Sequence, residues 1–104
     1  MSNSDNPDVP RARAIVTPAS RPALARHVKL RFDDVRQRWL ILAPERLLTP
    51  SDTAVAVLKL CDGQTSVDAV AGALASEFEA PQQTILADII AVLQDLADKG
   101  YLKA

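Results

Sequence analysis

"RQRWLILAPERLL", residues 36–48, decides the fold. Read as a strand, Arg38–Ala43 sends alternate side chains to opposite faces of a sheet. Trp39, Ile41 and Ala43 go one way, Leu40 and Leu42 the other, and both faces are apolar. Pro44 cannot donate to a ladder and ends the strand. A second apolar stretch, Arg46–Thr49, follows at once and reads as another short strand. Upstream, "HVKLRF" (27–32) alternates: Val28, Leu30 and Phe32 on one side, His27, Lys29 and Arg31 on the other. That is the pattern of a half-buried strand. "DDVRQ" between the two is a polar link of hairpin length. A chain this short can cover one face of such a sheet with its own helices, which leaves apolar surface over.

The second half is helical. In "TPSDTAVAVLKLCDG" Thr49 or Ser51 can cap, Pro50 suits the first helical position, and Asp52 lies in the first turn, where the helix dipole favours negative charge. Val55, Leu58 and Cys61 mark its apolar face, and Gly63 is the expected stop. "TSVDAVAGALASEFE" is a second helix, capped by Thr65 or Ser66, with Val67, Val70, Ala71, Leu74 and Phe78 as its apolar set. Ala80-Pro81 breaks the chain and opens a third helix, Pro81 to about Asp98. Gly100 ends it. Strands first and helices after argue an α+β fold with helices packed on one face of a three-stranded antiparallel sheet. The three helices with a short break at 79–80 also read as a helix-turn-helix.

Residues 1–22 contain four of the seven prolines, with Ser, Asn and Asp between them and no apolar period. They predict a disordered tail or linker, and leave 23–104 as one domain. No apolar run approaches the ~18 residues of a membrane helix, and the N-terminus lacks a signal peptide's apolar core. A cytoplasmic protein is the expectation.

Cys61 is the only cysteine and His27 the only histidine. An internal disulfide and a structural zinc site are both excluded, and Cys61 reads as a half-buried small hydrophobe. Three glycines make no phosphate loop, and no nucleophile, base and orienting group come together. The sequence therefore predicts no catalysis and no cofactor.

Charge is uneven along the chain. Residues 1–46 hold nine Arg/Lys and five acids, net +4; residues 47–104 hold three Lys and eight acids, net −5. The split bears on the third helix. A helix that reads DNA presents Arg, Lys, Asn or Gln to phosphates and base edges. Between Pro81 and Asp98 there is no Lys or Arg, three acids (Asp88, Asp95, Asp98) and only Gln82, Gln83 and Gln94 as readers. Phosphate neutralisation supplies much of DNA affinity, so this helix repels it. On a wheel of 100° per residue, its apolar side chains Val92, Ile85, Leu96, Ile89, Leu93, Leu86, Ala97 and Ile90 span an arc of about 160°, wider than a core stripe needs. One edge of that arc can border a groove. If Arg46–Thr49 is an edge strand, a peptide can add beside it and lay side chains against the third helix.

Three stretches resemble the PqqD family of pyrroloquinoline quinone biosynthesis: "RPALARHVKLRFDDVRQRWLILAPERLL", "LKLCDGQTSVDAVAGAL" and "ADIIAVLQDLADKGYL", together covering about residues 22–104. The resemblance implies a winged helix-turn-helix-like recognition fold for ribosomally made peptides. It also implies a function: binding the precursor peptide PqqA and presenting it to the radical S-adenosylmethionine enzyme PqqE, which joins a Glu and a Tyr of the precursor. The family's peptide adds as a strand to the third strand and contacts the third helix. Those regions correspond here to Arg46, Leu47, Leu48 and Thr49, and to Ile85, Leu86, Ile89, Ile90 and Leu93. Some members are fused behind the cyclase PqqC, which makes a fusion linker the other reading of the tail. A monomer is expected, with an edge-paired dimer as the alternative. The competing function classes are a DNA-binding winged-helix regulator and a protein–protein adaptor unrelated to peptide modification.

Overall fold

A computed structural model describes residues 15–104. The element order is β1 (Ala23–Leu24), β2 (Lys29–Asp33), β3 (Arg38–Ala43), β4 (Arg46–Leu48), α1 (Asp52–Leu58), α2 (Val67–Phe78), α3 (Gln82–Asp98) and β5 (Leu102–Lys103). β2, β3 and β4 form an antiparallel sheet in that order, so β2 and β4 are its edges. The α+β class and the three-strand, three-helix plan are as the sequence predicts.

The alternation in "RWLILA" sorts its side chains as expected. Ile41 is buried, and Trp39 and Ala43 are half-buried on the helix side. Leu42 points the other way and is exposed. Phe32 and Trp39 face each other across β2 and β3 with ring centroids 5.4 Å apart, edge to face. Lys59, just after α1, sets its ammonium 4.5 Å from the Trp39 ring centre, a cation–π contact. Beneath the sheet, Val57, Val67, Val70, Ala71, Ile89 and Leu93 form the centre of the core, with no buried polar or charged residue among those described.

Helix starts follow from serine chemistry. Ser51 caps α1 by accepting from the Ala54 N–H at 3.1 Å, and Ser66 caps α2 by accepting from the Ala69 N–H at 3.1 Å. Thr65 is not the cap, because its N–H and hydroxyl both donate to the Asp62 carboxylate. Pro50 stands before the cap, not at the first helical position. α3 starts after Pro81 with no side-chain cap.

Several boundaries differ from the sequence reading. β2 begins at Lys29 and runs to Asp33, so His27 lies in a turn and Val28, though buried, lies outside the strand. α1 ends at Leu58, a turn before Gly63. Gly63, at φ 82°, instead donates its N–H to the Pro22 carbonyl at 2.9 Å. β1 and β5 were not anticipated: Ala23 pairs with Lys103 and Leu24 with Leu102, joining the two ends of the domain. Two-residue strands are too short to show a period.

Residues 15–22, assigned from composition to a tail, pack against the helices. Val16 and Pro22 are buried. The Pro18 and Ser20 carbonyls accept from the Asp68 and Val67 N–H groups at 2.9 and 2.8 Å, two of the donors that a helix start leaves without a partner. Backbone carbonyls do this work, so residue types alone do not reveal it. The rest of the predicted tail, 1–14, lies outside the described residues.

Candidate functional site

β3 turns into β4 through Pro44-Glu45. Proline presets φ at the first of these positions, and Glu45 takes φ 59° at the second, the pattern of a type II turn. The register is Ala43 with Arg46, Leu42 with Leu47, and Ile41 with Leu48. A two-residue hairpin closes on a hydrogen-bonded pair, and pairs then alternate. Arg46 and Leu48 therefore bond to β3, whereas Leu47 turns its N–H and C=O to the open edge. Nothing among the described residues continues the sheet past β4.

Beside this edge lies a groove of about 290 Å³. Ile41 of β3, Leu48 and Thr49 at the end of β4, and Ala54 of α1 line it together with Val92, Asp95 and Leu96 of α3 and Lys99 just after it. Helical spacing explains the α3 wall, since positions 92, 95, 96 and 99 share one flank. Lys99 donates to Asp95 at 3.0 Å on the rim, and both side chains are more than half exposed. An exposed i,i+4 pair adds little stability, and this one sets one charge of each sign on the groove's rim. No described group of three or more His, Cys, Asp or Glu could hold a metal, and no described helix is long and apolar enough to cross a membrane.

The predicted residues separate into three groups. Leu48 and Thr49 line the groove. Leu47 is 60% exposed on the opposite face of the sheet and Arg46 is exposed at the turn, so neither side chain lines the groove. On α3, Ile89 and Leu93 are 1% and 0% exposed. They belong to the core and do not line the groove. Ile85, Leu86 and Ile90 are half-buried. Ile85 lies two turns before Val92 on the same flank and continues the groove's line. Leu86 and Ile90 fall on the other flank, the one bearing Gln94, whose side-chain oxygen accepts from the Val16 N–H at 2.9 Å.

The sequence reading missed Ile41, Ala54, Val92, Asp95, Leu96 and Lys99. Val92 and Leu96 stood in its apolar arc, and an Asp95/Lys99 pair at i,i+4 was a further signal there to be read. Those signals favoured the C-terminal half of the helix.

Comparison with known proteins agrees in fold and in family. The family model described as "Coenzyme PQQ synthesis protein D (PqqD)" matches residues 38–102. The chain is similar to the "PqqA binding protein" of Rhodopseudomonas palustris strain BisB5, 60% identical over 87 residues, 84% of this chain and 85% of that protein. It is 46% identical over 82 residues to the "Bifunctional coenzyme PQQ synthesis protein C/D" of Methylorubrum extorquens, covering 79% of this chain and 22% of that one. Among solved structures it resembles the solution structure of the PqqD truncation of Methylobacterium extorquens PqqCD, with TM-score 0.75 and 43% identity over 86% of this chain and 95% of that one. That truncation is described as a functional, stand-alone recognition element for ribosomally synthesized and post-translationally modified peptides.

Proposed function

The chain belongs to the PqqD family, and on that premise we propose that it is a non-catalytic, cytoplasmic peptide chaperone of pyrroloquinoline quinone biosynthesis. It binds the precursor peptide PqqA and presents it to the radical S-adenosylmethionine enzyme PqqE, and needs no cofactor to do so. The observation that carries the reading is the open edge of β4 at Leu47, running beside the apolar groove between Leu48 and Val92.

The physics of the site favours an extended peptide. Leu47 and Thr49 offer two to four backbone hydrogen bonds, each worth roughly 0.5–1.5 kcal/mol net. Filling the groove removes some 200–300 Å² of apolar surface from water, about 5–7 kcal/mol at 25 cal/mol/Å². Ordering the peptide and losing its free motion costs several kcal/mol. The balance reaches about −8 kcal/mol at most, a Kd of about micromolar or weaker. Isothermal calorimetry with PqqA tests this: saturable one-to-one binding is expected, and no heat at about 100 µM of each overturns it. The absence of chemistry is tested separately, by incubating the chain with the peptide alone; any covalent change in the peptide's mass contradicts it.

The DNA-binding alternative finds no support in α3, which carries no Lys or Arg from Gln82 to Asp98. Duplex DNA should neither bind at physiological salt nor compete with the peptide.

A further inference from the structure

Helices cover one face of the three-stranded sheet; no described helix or strand covers the other. On that outer face the register sets Leu47 beside Leu42, Leu42 beside Lys29, and Leu40 beside Arg31. Leu42 is 36% and Leu47 60% exposed. Arg38 shares the face by the period of two. One acid, Asp33, stands opposite Arg38, and its carboxylate already accepts from the Arg36 guanidinium at 3.3 Å and from the Val35 N–H at 3.0 Å. The face is thus a leucine centre with a cationic rim, on a chain whose helical half, 47–104, carries net −5.

We propose that this outer face docks a folded protein whose surface is acidic around an apolar centre, and that a bound peptide enlarges the docking surface. The charge division chooses the face, because an acidic partner is repelled by the helical half and drawn to Lys29, Arg31 and Arg38. Strand geometry supplies the coupling. A peptide added at Leu47 sends alternate side chains over the groove and sends the others to the outer face, in line with Leu42 and Leu47. The partner then meets carrier and cargo as one continuous sheet face, so each strengthens binding of the other. This rests on the strand-addition reading above and adds to it the surface, and the chemistry, by which the loaded chain is recognised.

The test uses the full chain loaded with PqqA and, as probe, the pathway's radical S-adenosylmethionine enzyme. Two variants are compared with the wild type: Leu42→Glu, and the pair Arg31→Glu with Arg38→Glu. All three substituted positions point away from the core, and thermal melts verify folding. For both variants peptide affinity should stay within about threefold, while affinity of the enzyme for the loaded chain should fall about tenfold or more. Wild-type docking should weaken as salt rises. Enzyme affinity unchanged in both variants overturns the proposal, as does a wild-type dimer in sedimentation that Leu42→Glu abolishes, since the occupant would then be a second copy. Peptide binding with no enzyme binding overturns the docking surface alone. Absence of wild-type peptide binding overturns the strand-addition reading as well.

Discussion

Leu47 directs its N–H and C=O to the open edge, while its neighbour Leu48 bonds both to β3. Proline separates these roles, because it removes the N–H and leaves an extended backbone. Leu47→Pro should cost little stability and lower PqqA affinity about tenfold or more by calorimetry, whereas Leu48→Pro should lower the melting temperature through a broken ladder bond. Other residues carry stability alone. Ser66→Ala removes the α2 cap and should cost about 1 kcal/mol in urea melts. Asp62 accepts from the Gln64 and Thr65 N–H groups and the Thr65 hydroxyl, and these bonds hold its carboxyl below the usual 3.8. The Arg36 and Val35 contacts do the same for Asp33. A carboxyl with a depressed folded-state pKa stabilises the fold above its unfolded pKa and loses that contribution as pH falls through the folded value. Stability should therefore decline below about pH 4, and Asp62→Asn should flatten that acid limb. Burial, with the Asp62 charge beside it, pushes the Cys61 thiol up to about 11, and the thiol donates to the Val57 carbonyl at 3.2 Å. Native-state alkylation near neutral pH should accordingly be roughly a hundredfold slower than for a free cysteine.

At the scale of elements, β3 and β4 were legible because a period of two and a proline each leave a direct mark. The helix caps were half legible, since two hydroxyl residues stand at each start and only the Asp62 turn decides between Thr65 and Ser66. α3 was legible as a helix but not in its facing. Its apolar arc is wide enough to include the core residues Ile89 and Leu93, the groove residue Val92 and the far-flank residue Ile90. Hydrophobicity alone cannot rank these, because all four are aliphatic. The flank assignment makes a prediction: Val92→Asp should reduce PqqA affinity by about tenfold or more, while Ile90→Asp, if the fold survives, should leave it within a few fold. The turn between β3 and β4 is open to a similar check. Glu45 occupies left-handed space, which costs an L-residue roughly 1–2 kcal/mol. Part of that should return in Glu45→Gly as a melting temperature raised by a few degrees.

For the molecule as a whole, the ends are joined where the sequence showed no pattern. β1 pairs with β5, and Ala23 also bridges Asp62, so the first and last strands and the link between α1 and α2 meet at one place. The charge division survives folding as a cationic wing beside an acidic helical half. The central claim is that the peptide becomes a fourth strand on β4, and amide hydrogen exchange at that edge tests it most directly. With saturating PqqA, exchange of the Leu47 N–H should slow by about tenfold or more, while Arg46 and Leu48, already bonded to β3, change far less. Calorimetric saturation with the Leu47 amide exchanging as fast as in the free chain would contradict strand addition at β4.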